Sequence, residues 1–221
     1  MTGISARNTK LIGVFGGTFD PVHCGHLAVA RALMQGLPLA KVVFVPAARP
    51  PHRVPPSADA NHRLAMLRLA LGTEPDFVVD ETEYERDGPS YMVDTLLSLR
   101  RRYRAPLALI LGMDAFLGLP TWHRWRRILG LAHIIIVRRP GWDMPLPAWV
   151  RPHLQARGDL LLAADHGLAF LFTASARAES ASALRAALAQ GEAPTAWLPP
   201  KIPGYIKAHR LYRRASENDE A

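Results

Sequence analysis

Two histidines flank a glycine in the stretch GVFGGTFDPVHCGH, Gly13 to His26. Imidazoles at i and i+3, here His23 and His26, can both turn ring N–H groups toward oxygens of one phosphoryl group. Just upstream, Gly16 and Gly17 permit backbone shapes that side chains forbid and let an anion approach the main chain. His26 stands near the start of a helical run, Leu27 to Gln35, where free N–H groups and the helix dipole favour negative charge. Gly25 keeps that approach open. The other reading is a strand-to-helix turn whose glycines serve geometry and whose histidines cap or pack. A metal centre would need more ligands than His23, Cys24 and His26 offer, and no second cluster stands at familiar spacing. Cys24 reads as a small filler. Neither G-x-x-x-x-G-K-[ST] nor G-x-G-x-x-G occurs, which excludes the ordinary P-loop and dinucleotide turns.

Two later groups invite similar chemistry. Ser180, Ser182 and Arg185 lie at the start of the run Leu184–Leu188, where hydroxyls can cap and N–H groups can face anions. A plain N-cap followed by a solvated arginine has the same pattern. Gly112 and Asp114 follow a strand-like run, where a glycine can pass close to a nucleoside and an aspartate can contact a ribose hydroxyl. Asp114 can equally cap the segment Ala115–Leu117.

These residues need a scaffold, and the apolar pattern supplies one. Short runs at Leu11–Phe15, Val42–Val45, Phe77–Val79, Leu107–Leu111, His133–Val137 and Leu168–Phe172 read as buried strands. Between them, Leu27–Leu33, Leu64–Leu71, Met92–Leu99 and Leu184–Leu188 carry apolar residues at helical spacing. Alternating strand and helix predict a doubly wound α/β fold, a mainly parallel sheet with helices on both faces and ligands at the carboxyl ends of its strands. The opening stretch lies at such an end. Proline-rich connections at Pro46–Pro56 and Gly141–Pro152 interrupt the pattern without changing its composition, so one domain spanning residues 1–221 is expected.

Of the 221 residues, 49% are hydrophobic, which suits a globular chain rather than a disordered one. Lys and Arg outnumber Asp and Glu by 27 to 19, a net charge of +8 that suits anionic partners. One cysteine allows no intrachain disulfide, and no run approaches the roughly 18 apolar residues of a membrane span. A cytoplasmic protein without a membrane partner is expected.

The stretch GGTFDPVHCGH resembles the signature of the nucleotidyltransferase superfamily, whose His-x-Gly-His follows the first strand of a Rossmann-like sheet. Further along, PPHR at Pro50–Arg53, RDGPSYMVDTL at Arg86–Leu96, LGMDAF at Leu111–Phe116 and LPTWHRW at Leu119–Trp125 are similar, in order, to motifs of bacterial nicotinate-nucleotide adenylyltransferase. Near the end, ESASALRAAL at Glu179–Leu188 resembles the family's Ile-Ser-Ser-Thr-x-Ile-Arg segment, and YIKAHRLY at Tyr205–Tyr212 its closing helix. The resemblance implies adenylyl transfer from ATP to nicotinate mononucleotide, with Mg²⁺ accompanying ATP. It implies His23, His26 and Arg185 as catalytic groups. The ATP site would comprise Gly16, Gly17, Thr18, Phe19, Gly25, Gly112, Asp114, Ser180 and Ser182. The mononucleotide would meet Arg53, Tyr91, Thr95 and Trp122, the tryptophan stacking on the pyridine ring. A helical part at about 175–215 would pack on the main domain. No resident protein-bound metal and no nucleic-acid partner are implied. The chain departs from the pattern at Met92 and Ser182, each in place of threonine, at Ala181 for serine, at Glu179 for an aliphatic residue and at Arg53 for lysine. Two rivals stand beside this reading. Pantetheine-phosphate adenylyltransferase would share the histidines and arginine but not the Ser90-Tyr91 and Trp122 segments. A basic nucleic-acid-binding protein would use patches such as Arg100–Arg104 and Arg124–Arg127.

Overall fold

A computed structural model describes residues 10–51, 55–72, 74–141, 145–174, 180–192 and 194–213. Seven strands form one sheet: β1 (Leu11–Gly17), β2 (Leu39–Pro46), β3 (Phe77–Val79), β4 (Leu107–Gly112), β5 (His133–Arg138), β6 (Leu154–Gln155) and β7 (Ala169–Thr173). Their order is β3-β2-β1-β4-β5-β7-β6, and every pairing is parallel. The chain therefore winds outward from β1 through β2 to β3, then returns to β4 on the other side of β1.

Helices α1 (Cys24–Gly36), α2 (Ala60–Leu71), α3 (Met92–Arg102), α4 (Met113–Leu117), α5 (Trp125–Leu129), α6 (Ala181–Ala189) and α7 (Ile202–Ala208) cover the sheet. Alternate strand residues explain why both faces are covered. Val42 and Phe44 join an apolar cluster with Leu27 and Leu33 of α1, Met66 of α2, Leu184 of α6 and Ile206 of α7. Val43 and Val45 join another with Leu96 of α3, Phe116 of α4 and Ile128 of α5. A strand buried on both faces shows a continuous apolar run, as Ile134–Ile136 does, each residue contributing about 1.5–3 kcal/mol by leaving water.

Several element ends differ from those expected from the apolar pattern or the family resemblance. Helix α1 starts at Cys24, three residues before the first leucine, with extended His23 as its N-cap. Helix α7 stops at Ala208, so Tyr212 of the expected closing helix lies beyond it with φ of 62°. The five-residue helices α4 and α5 and the two-residue strand β6 are too short to leave a periodic trace.

Candidate active site

A cavity of about 650 Å³ opens at the carboxyl ends of β1, β2 and β4. The strand order reverses between β1 and β4, the place where open α/β sheets bind ligands. Gly16, Gly17, Thr18 and Phe19 wall it from β1 and the turn beyond, and His26 from α1. Gly112 adds the end of β4, Arg185 comes from α6, and Tyr91 and Trp122 line the remaining wall. The structure thus brings most of the residues singled out in the sequence around one space.

Side chains crowd both turn glycines. A Cβ on Gly16 would lie 2.4 Å from the Met92 methyl, and one on Gly17 would lie 3.0 Å from the Phe19 ring. Phe19 itself takes φ of 50°, which turns the chain sharply into Asp20. The histidines then lock onto each other. His23 donates its backbone N–H to His26 Nδ1 at 3.2 Å, His26 N–H donates to the His23 carbonyl at 3.0 Å, and the rings lie 3.7 Å apart. Because Nδ1 accepts, the proton of a neutral His26 resides on Nε2, which is then a donor. Burial, then the neighbouring His23, hold His26 well below the ordinary imidazole range. His26 is therefore an uncharged donor at neutral pH. His23 is buried and lies off the cavity wall, and Gly25 occupies the second position of α1, also off the wall.

Arg185 projects from the second turn of α6, with Ala181 one turn nearer the helix start also on the wall. Ser180 is the N-cap, its Oγ accepting from Ala183 N–H at 3.2 Å, and it lies 3.3 Å from the exposed Ser182 hydroxyl. Neither serine lines the cavity. Arg185 Nη1 donates to the Asp20 carbonyl at 2.7 Å. Behind the turn, Arg63 of α2 is 1% exposed and donates to the carbonyls of Thr18 and Ala47 at 2.8 and 2.6 Å, and to those of Ala48 and Ala58 at 3.2 Å. It thereby fastens the turn to both roots of the proline-rich connection.

On the remaining wall, the Tyr91 ring stacks on His123 at 4.3 Å and 26° beside half-buried Trp122. Thr95 does not reach the cavity. It is fully buried, and its hydroxyl donates to Glu83 Oε1 at 2.6 Å. Glu83 is itself on the wall, and burial raises its carboxyl above the usual range. Asp114 is exposed and also off the wall. Arg53 and Glu179 lie outside the described residues.

Asp20, Arg63, Glu83 and His123 are contributors that the sequence reading passed over. Arg63 had a signal: it stands with Met66, Leu67, Ala70 and Leu71 on the apolar face of α2, where a cation must find buried acceptors. Asp20 and His123 lie inside the GGTFDPVHCGH and LPTWHRW stretches with no spacing that marks them, and Glu83 carries no pattern of its own. Among the described residues, no group of three or more His, Cys, Asp or Glu side chains could hold a metal ion. No helix among them is long and apolar enough to cross a membrane.

Comparison with known proteins agrees with this geometry. The cytidylyltransferase-like family matches residues 14–187. A relative from Acidithiobacillus ferrooxidans is 45% identical over 206 residues, covering 90% of this chain and 94% of its own. One from Aeromonas hydrophila is 45% identical over 210 residues, covering 92% and 98%. Both carry the name "Probable nicotinate-nucleotide adenylyltransferase". A solved Plasmodium falciparum nicotinic acid mononucleotide adenylyltransferase, complexed with NaAD, superposes with a TM-score of 0.70 at 16% identity, covering 92% of this chain and 97% of that one. The parallel sheet with a cavity at its switch point is a Rossmann-like fold, and the family match makes the chain a nucleotidyltransferase of the cytidylyltransferase-like family. Within it, the chain belongs to the nicotinate-nucleotide adenylyltransferases.

Proposed function

We propose that this enzyme joins nicotinate mononucleotide to the adenylyl group of ATP, giving nicotinate adenine dinucleotide and pyrophosphate. A phosphate oxygen of the mononucleotide attacks the α-phosphorus, and the bond from that phosphorus to the pyrophosphate oxygen breaks. No covalent enzyme intermediate is required, so the protein's work is to align two polyanions and neutralise charge. The Gly16–Phe19 turn supplies close backbone approach, and His26 Nε2–H donates to the triphosphate while His23 fixes its tautomer. Arg185 offers a planar fork to the departing phosphates. Ser180 and Ser182 act by starting α6, and Gly25 by leaving the α1 terminus bare. Gly112 passes close to adenosine, with Asp114 near the same strand end. Trp122 stacks on the pyridine ring, and Tyr91 stands beside its carboxylate. Thr95 acts through Glu83, and Arg53 adds a cation for phosphate.

Mg²⁺ would enter with ATP. The described carboxylates make no cage, and both oxygens of the nearby Asp20 already accept hydrogen bonds, which fits an ion held chiefly by phosphate oxygens and water. When bound, it neutralises charge on the leaving pyrophosphate. The single cysteine suits the reducing cytoplasm, where both substrates would be met.

One observation carries the reading: the glycine turn, His26 and Arg185 share one cavity with Trp122 and Tyr91. The test is pyrophosphate release by the purified chain with ATP and each candidate acceptor. Release that depends on nicotinate mononucleotide is expected. Turnover with pantetheine phosphate instead, or none, would reject the assignment.

A further inference from the structure

One residue ties the phosphate turn to three distant parts of the chain. The Asp20 carboxylate is 5% exposed and accepts three hydrogen bonds, from Ser57 N–H at 2.7 Å, Ala58 N–H at 3.1 Å and the Tyr212 hydroxyl at 2.8 Å. The backbone carbonyl of the same residue accepts from Arg185 Nη1, which stands 3.9 Å from Oδ2. Asp20 thus faces Arg185 across a short gap without closing a bidentate pair. Among the described residues this is the one hydrogen bond Arg185 donates, and Arg185 lines the cavity.

Three donors on one carboxylate spread its charge and weaken its pull on a neighbouring cation. We infer that Asp20 is a positioning residue for the triphosphate half of this site and that Tyr212 is its catch: together with the 57–58 backbone, the phenol saturates the carboxylate and leaves Arg185 facing the cavity. The inference rests on the adenylyl-transfer reading above. Tyr212 is suited to the task because burial and Asp20 push its ionisation upward, so it remains a donor. Without the hydroxyl, Asp20 Oδ1 keeps only the Ala58 N–H, and the carboxylate turns to the cation already beside it. Arg185 then closes onto Asp20, and ATP must break that pair to bind. Trp122 and Tyr91 belong to other elements and are left undisturbed.

The test uses the full chain as wild type, Tyr212→Phe, Asp20→Asn and the double variant. KM is measured for each substrate, ATP affinity by calorimetry, and folding by thermal melting. Tyr212→Phe should raise the KM and Kd for ATP about tenfold, the loss expected for a hydrogen bond to a charged group, with the KM for nicotinate mononucleotide within about twofold. In the Asp20→Asn background the same change should shift ATP affinity less than about twofold, because the anion it shields has gone. An equal rise in both KM values, a lowered melting point with unchanged ATP affinity, or the same tenfold loss in the Asp20→Asn background would overturn the inference. A wild type that binds ATP without turnover would reject the assigned reaction, and calorimetry would still decide the role of Tyr212.

Discussion

At His26 the position of one proton decides which ring nitrogen can donate. Its Nδ1 is occupied by the His23 backbone N–H, so the useful donor is Nε2, and burial keeps the ring neutral. His26→Ala should lower kcat about 100-fold or more, the usual cost of removing a donor to developing charge, while circular dichroism shows an intact fold. His26→Gln, whose amide N–H reaches where Nε2–H stood, should retain more activity than His26→Asn. Parity between the two would contradict the tautomer. Arg185→Lys removes the fork but keeps the charge, so the KM for ATP should rise about tenfold while that for nicotinate mononucleotide stays fixed. A defect confined to the mononucleotide would reverse the assignment of Arg185. Trp122→Ala should weaken nicotinate and nicotinamide mononucleotides by similar factors, since stacking senses ring area more than carboxylate charge. Comparing kcat/KM for both substrates decides it, and loss of the acid alone would remove Trp122 from the ring face.

Two elements carry buried polar groups whose cost can be measured. Arg63 on α2 satisfies four backbone carbonyls. Arg63→Met strands them, and urea denaturation should show a loss of about 3 kcal/mol or more. In β5, His133 is fully buried, donating from Nε2 to the Ala164 carbonyl at 3.1 Å and accepting Leu168 N–H at Nδ1 at 3.2 Å. Burial lowers its pKa from 6.5 to about 4. The unfolded chain therefore takes up this proton first as pH falls, and stability present above pH 6.5 is lost progressively toward about pH 4. The loss is on the order of 3 kcal/mol, and His133→Gln should flatten the stability difference across that window. A variant with the wild-type slope would assign the acid sensitivity elsewhere. Strands such as β5 were legible because a doubly buried strand is a continuous apolar run. The start of α1 was not, since His23 replaces the usual Ser, Thr or Asp signal and works through reciprocal bonds with His26. Thr95 looked like a site donor by motif, yet the inward face of α3 carries it to Glu83. The partners of Asp20 and Arg63 include backbone groups far along the chain, which leave no local pattern.

For the whole molecule, a net charge of +8 meets two polyanionic substrates. Association should weaken as salt shortens the screening length toward about 8 Å at 0.15 M, so kcat/KM for ATP should fall with added potassium chloride. A flat salt response would confine the electrostatics to the cavity. The connections of Asp20 also impose a timetable on synthesis. Arg185 and Tyr212 follow it by 165 and 192 residues. At about 5–20 residues per second, a ribosome makes the glycine turn roughly 10–40 s before it makes the tyrosine that secures it. For the first 165 of those residues the nascent turn lacks its arginine fork as well as its catch. A product released before residue 185 would carry the histidine motif in full and lack both contacts to Asp20.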